Sequence, residues 1–111
     1  MNPKQTKDKI ASYHKEGKIT LQVDEKAKQV VDELELEGIT KAELVKTSSN
    51  QVELEYSSVK HEVDITIDEG YTIYTTYYKQ ERDDGIFDLI GGETLELTPE
   101  SFKDIAKLLK G

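Results

Sequence analysis

The stretch Gln51–Lys79 reads Q-V-E-L-E-Y-S-S-V-K-H-E-V-D-I-T-I-D-E-G-Y-T-I-Y-T-T-Y-Y-K. Apolar and polar residues alternate through it with period two, the mark of strands that bury one face and wet the other. Val52, Leu54 and Tyr56 share one face of a first strand, Glu53 and Glu55 the other. Val63, Ile65 and Ile67 share one face of a second, Glu62, Asp64 and Asp68 the other. The third strand is rich in Thr, Tyr and Ile, which suits a pleated, half-buried surface.

The turn before that third strand sets its register. A two-residue loop, Glu69-Gly70, places Ile67 opposite Thr72 and Ile65 opposite Tyr74. A three-residue loop, Asp68-Glu69-Gly70, places Ile67 opposite Tyr71, Ile65 opposite Ile73 and Val63 opposite Thr75. The second register gathers the aliphatic residues on one face and gives Gly70 the left-handed position that ends a type I turn with a bulge. A one-residue slip turns a whole strand inside out, so the pattern predicts the three-residue loop. On the wet face Asp64 then lies across from Tyr74, Glu62 from Thr76, Thr66 from Thr72 and Lys60 from Tyr78. Glu53 and Glu55 extend the same surface, while Tyr71 and Tyr77 turn to the core. The expectation is an exposed sheet face of carboxylates interleaved with tyrosines. An ordinary solvated face is the plain reading. A recognition surface is the sharper one, since Tyr is enriched at interfaces.

Outward from this stretch, Asn2-Pro3 reads as an N-cap with Pro at the first helical position, and Gly17 closes a helix over 3–16 whose apolar face, Ile10, Ala11 and Tyr13, is thin. Lys18–Val23 alternates and reads as a short strand. Asp24 caps a helix through Glu37. Ala27, Val30, Val31 and Leu34 fall on one stripe of it, and Gly38 sits at the left-handed cap. Lys41–Thr47 reads as a strand, and Ser48-Ser49-Asn50 turns it back so that Leu44 meets Leu54. After a polar loop, Ile86-Phe87-Asp88-Leu89-Ile90 offers an apolar patch, expected in the core or as a self-contact. Gly91-Gly92 reads as a turn, Thr94–Leu97 as a strand, and Thr98-Pro99-Glu100 as the start of a last helix burying Phe102, Ile105, Ala106 and Leu109. Strands joined by tight turns, with two amphipathic helices to bury, predict an α+β fold: an antiparallel meander of five or six strands, packed on one face by two helices, with a further short N-terminal helix.

The chain of 111 residues has the length of one domain, 1–111. The absence of Cys removes disulfides and thiolate chemistry and fits a reducing compartment. No apolar run approaches the ~20 residues that span a bilayer. The polar N-terminus lacks a signal core, so a cytoplasmic protein is expected. The net charge of −8 is uneven. Residues 1–23 carry five lysines against two acids, and residues 24–111 carry the acidic excess. The acidic body should repel nucleic-acid phosphates.

Chemistry-bearing constellations are few. His14 and His61 lie far apart, and with no Cys they make no zinc ligand set. Asp64-x-Thr66-x-Asp68 starts like a calcium loop but has Glu69 where the motif needs Gly and Thr75 where it needs Glu. Asp83-Asp84-Gly85 is a turn. The many acids select no pair for acid–base work, and no phosphate-binding glycine motif is present. No cofactor, no metal and no catalysis are expected. The sequence points to a small acidic protein-binding module whose partner carries a basic surface, with Glu53, Glu55, Glu62, Asp64, Tyr74 and Tyr78 as contacts. One form of it is an inhibitor that imitates nucleic acid and blocks a basic groove, a class frequent in phages and mobile elements. The alternative is a single-stranded nucleic-acid binder that stacks bases on Tyr74 and Tyr78 beside the basic N-terminal segment.

Overall fold

The computed structural model describes residues 1–111. Asn2 opens the first helix, α1 (Pro3–Lys15), with a reciprocal capping box. Its side chain accepts from the Gln5 amide, and the Gln5 side chain accepts from the Asn2 amide. Gly17 takes a positive φ, +76°, just past the end of α1. The thin apolar face is nevertheless firmly seated. Ile10 is fully buried against the second helix, and the Tyr13 hydroxyl donates to the Val45 carbonyl at 3.0 Å in a buried site.

The strand expected at Lys18–Val23 does not form. Thr20 is the N-cap of α2 (Leu21–Leu36), its hydroxyl accepting from the Val23 amide at 3.4 Å. The alternation of Ile19, Leu21 and Val23 is therefore coincidental. Val23 belongs to the helical stripe of Ala27, Val30, Val31 and Leu34, and Leu21 points to solvent. Asp24, expected as the cap, lies inside the first turn. It is buried, 3.0 Å from Lys28 Nζ and 3.9 Å from His14 Nδ1.

Five strands follow: β1 (Leu44–Ser48), β2 (Gln51–Ser57), β3 (His61–Ile67), β4 (Thr72–Glu81) and β5 (Phe87–Glu96). They pair antiparallel in the order β1-β2-β3-β4-β5, and α3 (Ser101–Lys110) closes the chain after a turn at Thr98-Pro99-Glu100. This is the predicted α+β meander with one short N-terminal helix and two further helices packed on the sheet. The core joins Val52, Leu54, Val63, Ile65 and Ile67 of the sheet to the α2 stripe and to Phe102 and Ile105 of α3. Burying each such side chain contributes ~1.5–3 kcal/mol, which is what holds the two layers together. The helices lie over β1, β2 and β3. The opposite sheet face has no helix on it.

Two registers differ from expectation. Ser49 and Asn50 both take positive φ, 49° and 59°, a two-residue turn whose twist matches a hairpin. Leu54 therefore meets Val45, not Leu44; Val45 is buried and Leu44 faces out. At the other turn, Ile67 pairs with Thr72, Ile65 with Tyr74 and Val63 with Thr76, the two-residue register. Gly70 is not left-handed. The Asp68 carboxylate accepts from the Gly70 amide at 3.0 Å and from Gln51 Nε2 at 3.1 Å. Lys26 of α2 donates to the Asp68 and Glu69 carbonyls. Contacts from β2 and α2 thus pin a turn that local glycine chemistry left open.

Nor is Gly91-Gly92 a turn. Both glycines lie within β5 at positive φ and carry the register shift opposite Thr76/Tyr77. β5 is thereby one long edge strand, and Ile86, Phe87, Leu89 and Ile90 are exposed on it and its approach, not packed in the core.

The open acidic face of the sheet

Alternation sends Glu53 and Glu55 of β2 and Glu62 and Asp64 of β3 to the helix-free face. Glu55 pairs with Asp64, Glu53 with Thr66, and Ser57 with Glu62. Four of the six predicted contact residues therefore share one surface. The other two leave it. Tyr74 stands opposite Ile65 on the helix side and is 4% exposed, a core residue. Tyr78 is also on the helix side, near its outer end, with its ring 5.8 Å from that of His61 in an edge-on contact. The two-residue turn is the cause, since it inverts β4 relative to the expected register. The same inversion turns Tyr77, expected in the core, onto the acidic face opposite Glu62, and leaves Tyr71 exposed. Tyr77 is the site residue that sequence reasoning missed. The available signal was the rejected register, which places it there directly.

The carboxylates crowd one another. Glu55, Glu62 and Asp64 each bring an oxygen within 4.8 Å of the others. Lys46 of β1 meets Glu53 at 3.1 Å and is the cation of this group of strands that pairs with an acid. Burial, then the hydrogen bond and charge of Asp64 and the charge of Glu55, push the Glu62 carboxyl up to about 7. Burial likewise raises Asp64, against a hydrogen bond from Glu62 and the charge of Lys46, which lower it. Burial is thus the first cause of the upward shift at both carboxyls. The buried Asp64 Oδ1 has no hydrogen-bond partner. Like charges directly opposite in a sheet destabilise it, so the arrangement is costly to the fold. As metal ligands the three side chains are hard oxygen donors, fewer than the six to eight that Ca²⁺ takes.

Between these residues lies a shallow depression of about 200 Å³, bordered by Leu44, Lys46, Glu53, Asp64, Thr75 and Tyr77. It is smaller than the ~300–1,000 Å³ of sites that enclose small ligands. His61 Nδ1 is buried without a partner, and its side chain emerges on the opposite face from Glu62 and Asp64. No nucleophile–base pair converges here. The arrangement supports surface recognition of positive charge.

The molecule is thus an α+β two-layer sandwich with one helix-covered and one bare, acidic sheet face, and no helix is long and apolar enough to cross a membrane. No family model, curated protein or solved structure matches the chain.

Proposed function

We propose that this is a small non-enzymatic protein-binding module whose open sheet face receives a basic surface of a protein partner. The observation that carries the reading is the crowding of Glu55, Glu62 and Asp64 on a bare face with little cationic compensation. An incoming Arg or Lys supplies the missing counter-charge. Glu53 completes the surface, and Tyr77 replaces Tyr74 and Tyr78 as its aromatic member.

The finer form of the reading is an inhibitor that stands in for nucleic acid. Carboxylates repeat about every 6.7 Å along a strand and about every 4.8 Å across strands, a dense negative lattice for a phosphate-binding groove. A cytoplasmic, phage-type setting accords with it. Single-strand binding by base stacking is disfavoured. Tyr74 is in the core, Tyr77 lies among acids, and the lysines of α1 belong to the helix layer.

The test uses a hexa-arginine peptide titrated into the labelled chain and followed by amide chemical shifts. Shifts centred on Thr66, Thr75 and Tyr77 are expected. They should weaken with salt and vanish when Glu53→Gln, Glu55→Gln, Glu62→Gln and Asp64→Asn are combined. Shifts centred on the acidic side of α2, or unchanged binding by the combined variant, sink the assignment.

A further inference from the structure

The bare half of the sheet carries a second surface that the acidic face does not account for. The helices make their main contacts with β1, β2 and β3, so β5 is an edge strand with little cover: on the helix side Leu108 of α3 borders Ile90 and Gly91, and the open side is bare. Tyr78, Ile86, Phe87, Leu89, Ile90 and Leu95 are each between 42% and 55% exposed. Together they open roughly 500 Å² of large apolar side chains. The pairing divides them between both faces. Ile90 and Leu95 lie opposite Tyr78 and Tyr74 on the helix side, while Phe87 and Leu89 lie opposite Glu81 and Lys79 on the open side. A partner laid on one face would leave the other wet. A strand added at the edge covers both.

β5 guards its edge unevenly. It contains no Lys and no Pro; its bulge at Gly91-Gly92 and its acids Glu93 and Glu96 lie in the second half, and Asp88 is the one charge among Phe87–Ile90. The Arg82 amide donates to the Ile86 carbonyl. By the alternation of an antiparallel ladder, Ile86, Asp88 and Ile90 then turn their main-chain groups toward β4, and Phe87 and Leu89 turn theirs outward.

We infer that two copies of this chain associate about a two-fold axis by pairing β5 with β5 antiparallel, Leu89 meeting its own symmetry mate. This register joins outward-facing main-chain groups and sets Phe87 against the partner's Gly91, an aromatic over a bare glycine. It sets Asp88 against the partner's Ile90, so no acid faces an acid. The surface is self-complementary, as a two-fold contact requires. The side chains at the seam, Ile86, Phe87, Leu89 and Ile90, with the newly paired main chain, bury less than the ~800 Å² per partner of a standard interface, so the dimer is expected to be weak and concentration-dependent. The opposing force is the net charge of −8 on each copy. Arg82, 3.0 Å from Asp84 and 3.6 Å from Asp88, offsets acids beside the seam. The rest is screened over ~8 Å at physiological salt. Dimerisation should therefore tighten with salt, the reverse of binding at the acidic face.

Sedimentation equilibrium of the whole chain at low and high salt tests this. The expected result is a concentration-dependent mass approaching twice 12.6 kDa, stronger at high salt. Leu89→Lys should weaken it at least ~10-fold, since it buries two ammonium groups against each other at the centre of the contact. The chain has no Cys, so Leu89→Cys gives an independent readout: a rapid interchain disulfide under mild oxidation, with Tyr71→Cys, equally exposed but distant, reacting slowly. A monomeric mass at every concentration overturns the inference. So does a dimer indifferent to Leu89→Lys, or equal oxidation rates for the two cysteine variants.

Discussion

β3 and β5 belong to one sheet but live in different surroundings. β3 is central; Val63, Ile65 and Ile67 are fully buried under the helices, and its other face carries Glu62 and Asp64. β5 is an edge, and Phe87, Leu89, Ile90 and Leu95 are about as apolar yet remain half in water. The contrast shows that apolar patterning marks a strand without saying what covers it. Cover is settled by how far three helices reach, and here it thins from β3 across Tyr74 of β4 to the edge at β5.

The largest effect should follow from breaking the covered strand. Ile65→Ala removes a fully buried side chain beneath α2 and α3 and should cost ~2–5 kcal/mol. Leu95→Ala, on the same sheet face but beyond the helices, should cost the monomer less than ~1 kcal/mol. Urea unfolding of both variants at low protein concentration measures the pair. Comparable losses would mean that β5 is covered after all.

A smaller effect sharpens where the cover is anchored. α1 reaches the sheet through the Tyr13 hydroxyl on the Val45 carbonyl. Tyr13→Phe leaves that buried carbonyl without its donor and should cost ~1–2 kcal/mol, with early loss of amide protection in α1. Unaltered stability and protection would make α1 an accessory that the layer does not need.

The unequal legibility of the two strands has the same origin. β2, β3 and the α2 and α3 stripes are written in period two and in helical period, so the α+β meander and most of its core can be read from residues alone. Tyr74 and Tyr77 could not be told apart, because β4 alternates Tyr, Thr and Ile on both faces. Its facing was decided by Lys26 and Gln51 gripping the Asp68–Gly70 turn from 42 and 17 residues away. Lys18–Val23 was ambiguous because Ile19, Leu21 and Val23 satisfy a strand while Val23 also continues a helical stripe. The four site carboxylates were legible because the strands that hold them have one apolar face each. Their mutual crowding was not, since it depends on which strands are neighbours.

The smallest effect concerns that crowding and has an unusual sign. Glu62 titrates near 7 when folded, against an ordinary value of 4.5, because burial and its acidic neighbours disfavour its charge. Below pH 4.5 it is protonated whether folded or not, and its contribution to stability is fully present. As the pH rises toward 7 the unfolded chain sheds the proton first, and that contribution is lost. Glu62→Gln imitates the protonated form. The variant should match the parent near pH 4 and exceed it at pH 8, by ~1 kcal/mol once solvent screening of this partly exposed group is allowed for. The measurement is the difference between the two urea-unfolding curves across pH 4–8. A difference that stays constant would mean that neither burial nor the neighbouring acids raise Glu62. A difference that opens between pH 4.5 and 7 would show that the covered half of the sheet carries an electrostatic strain on its bare face, which a basic partner would relieve.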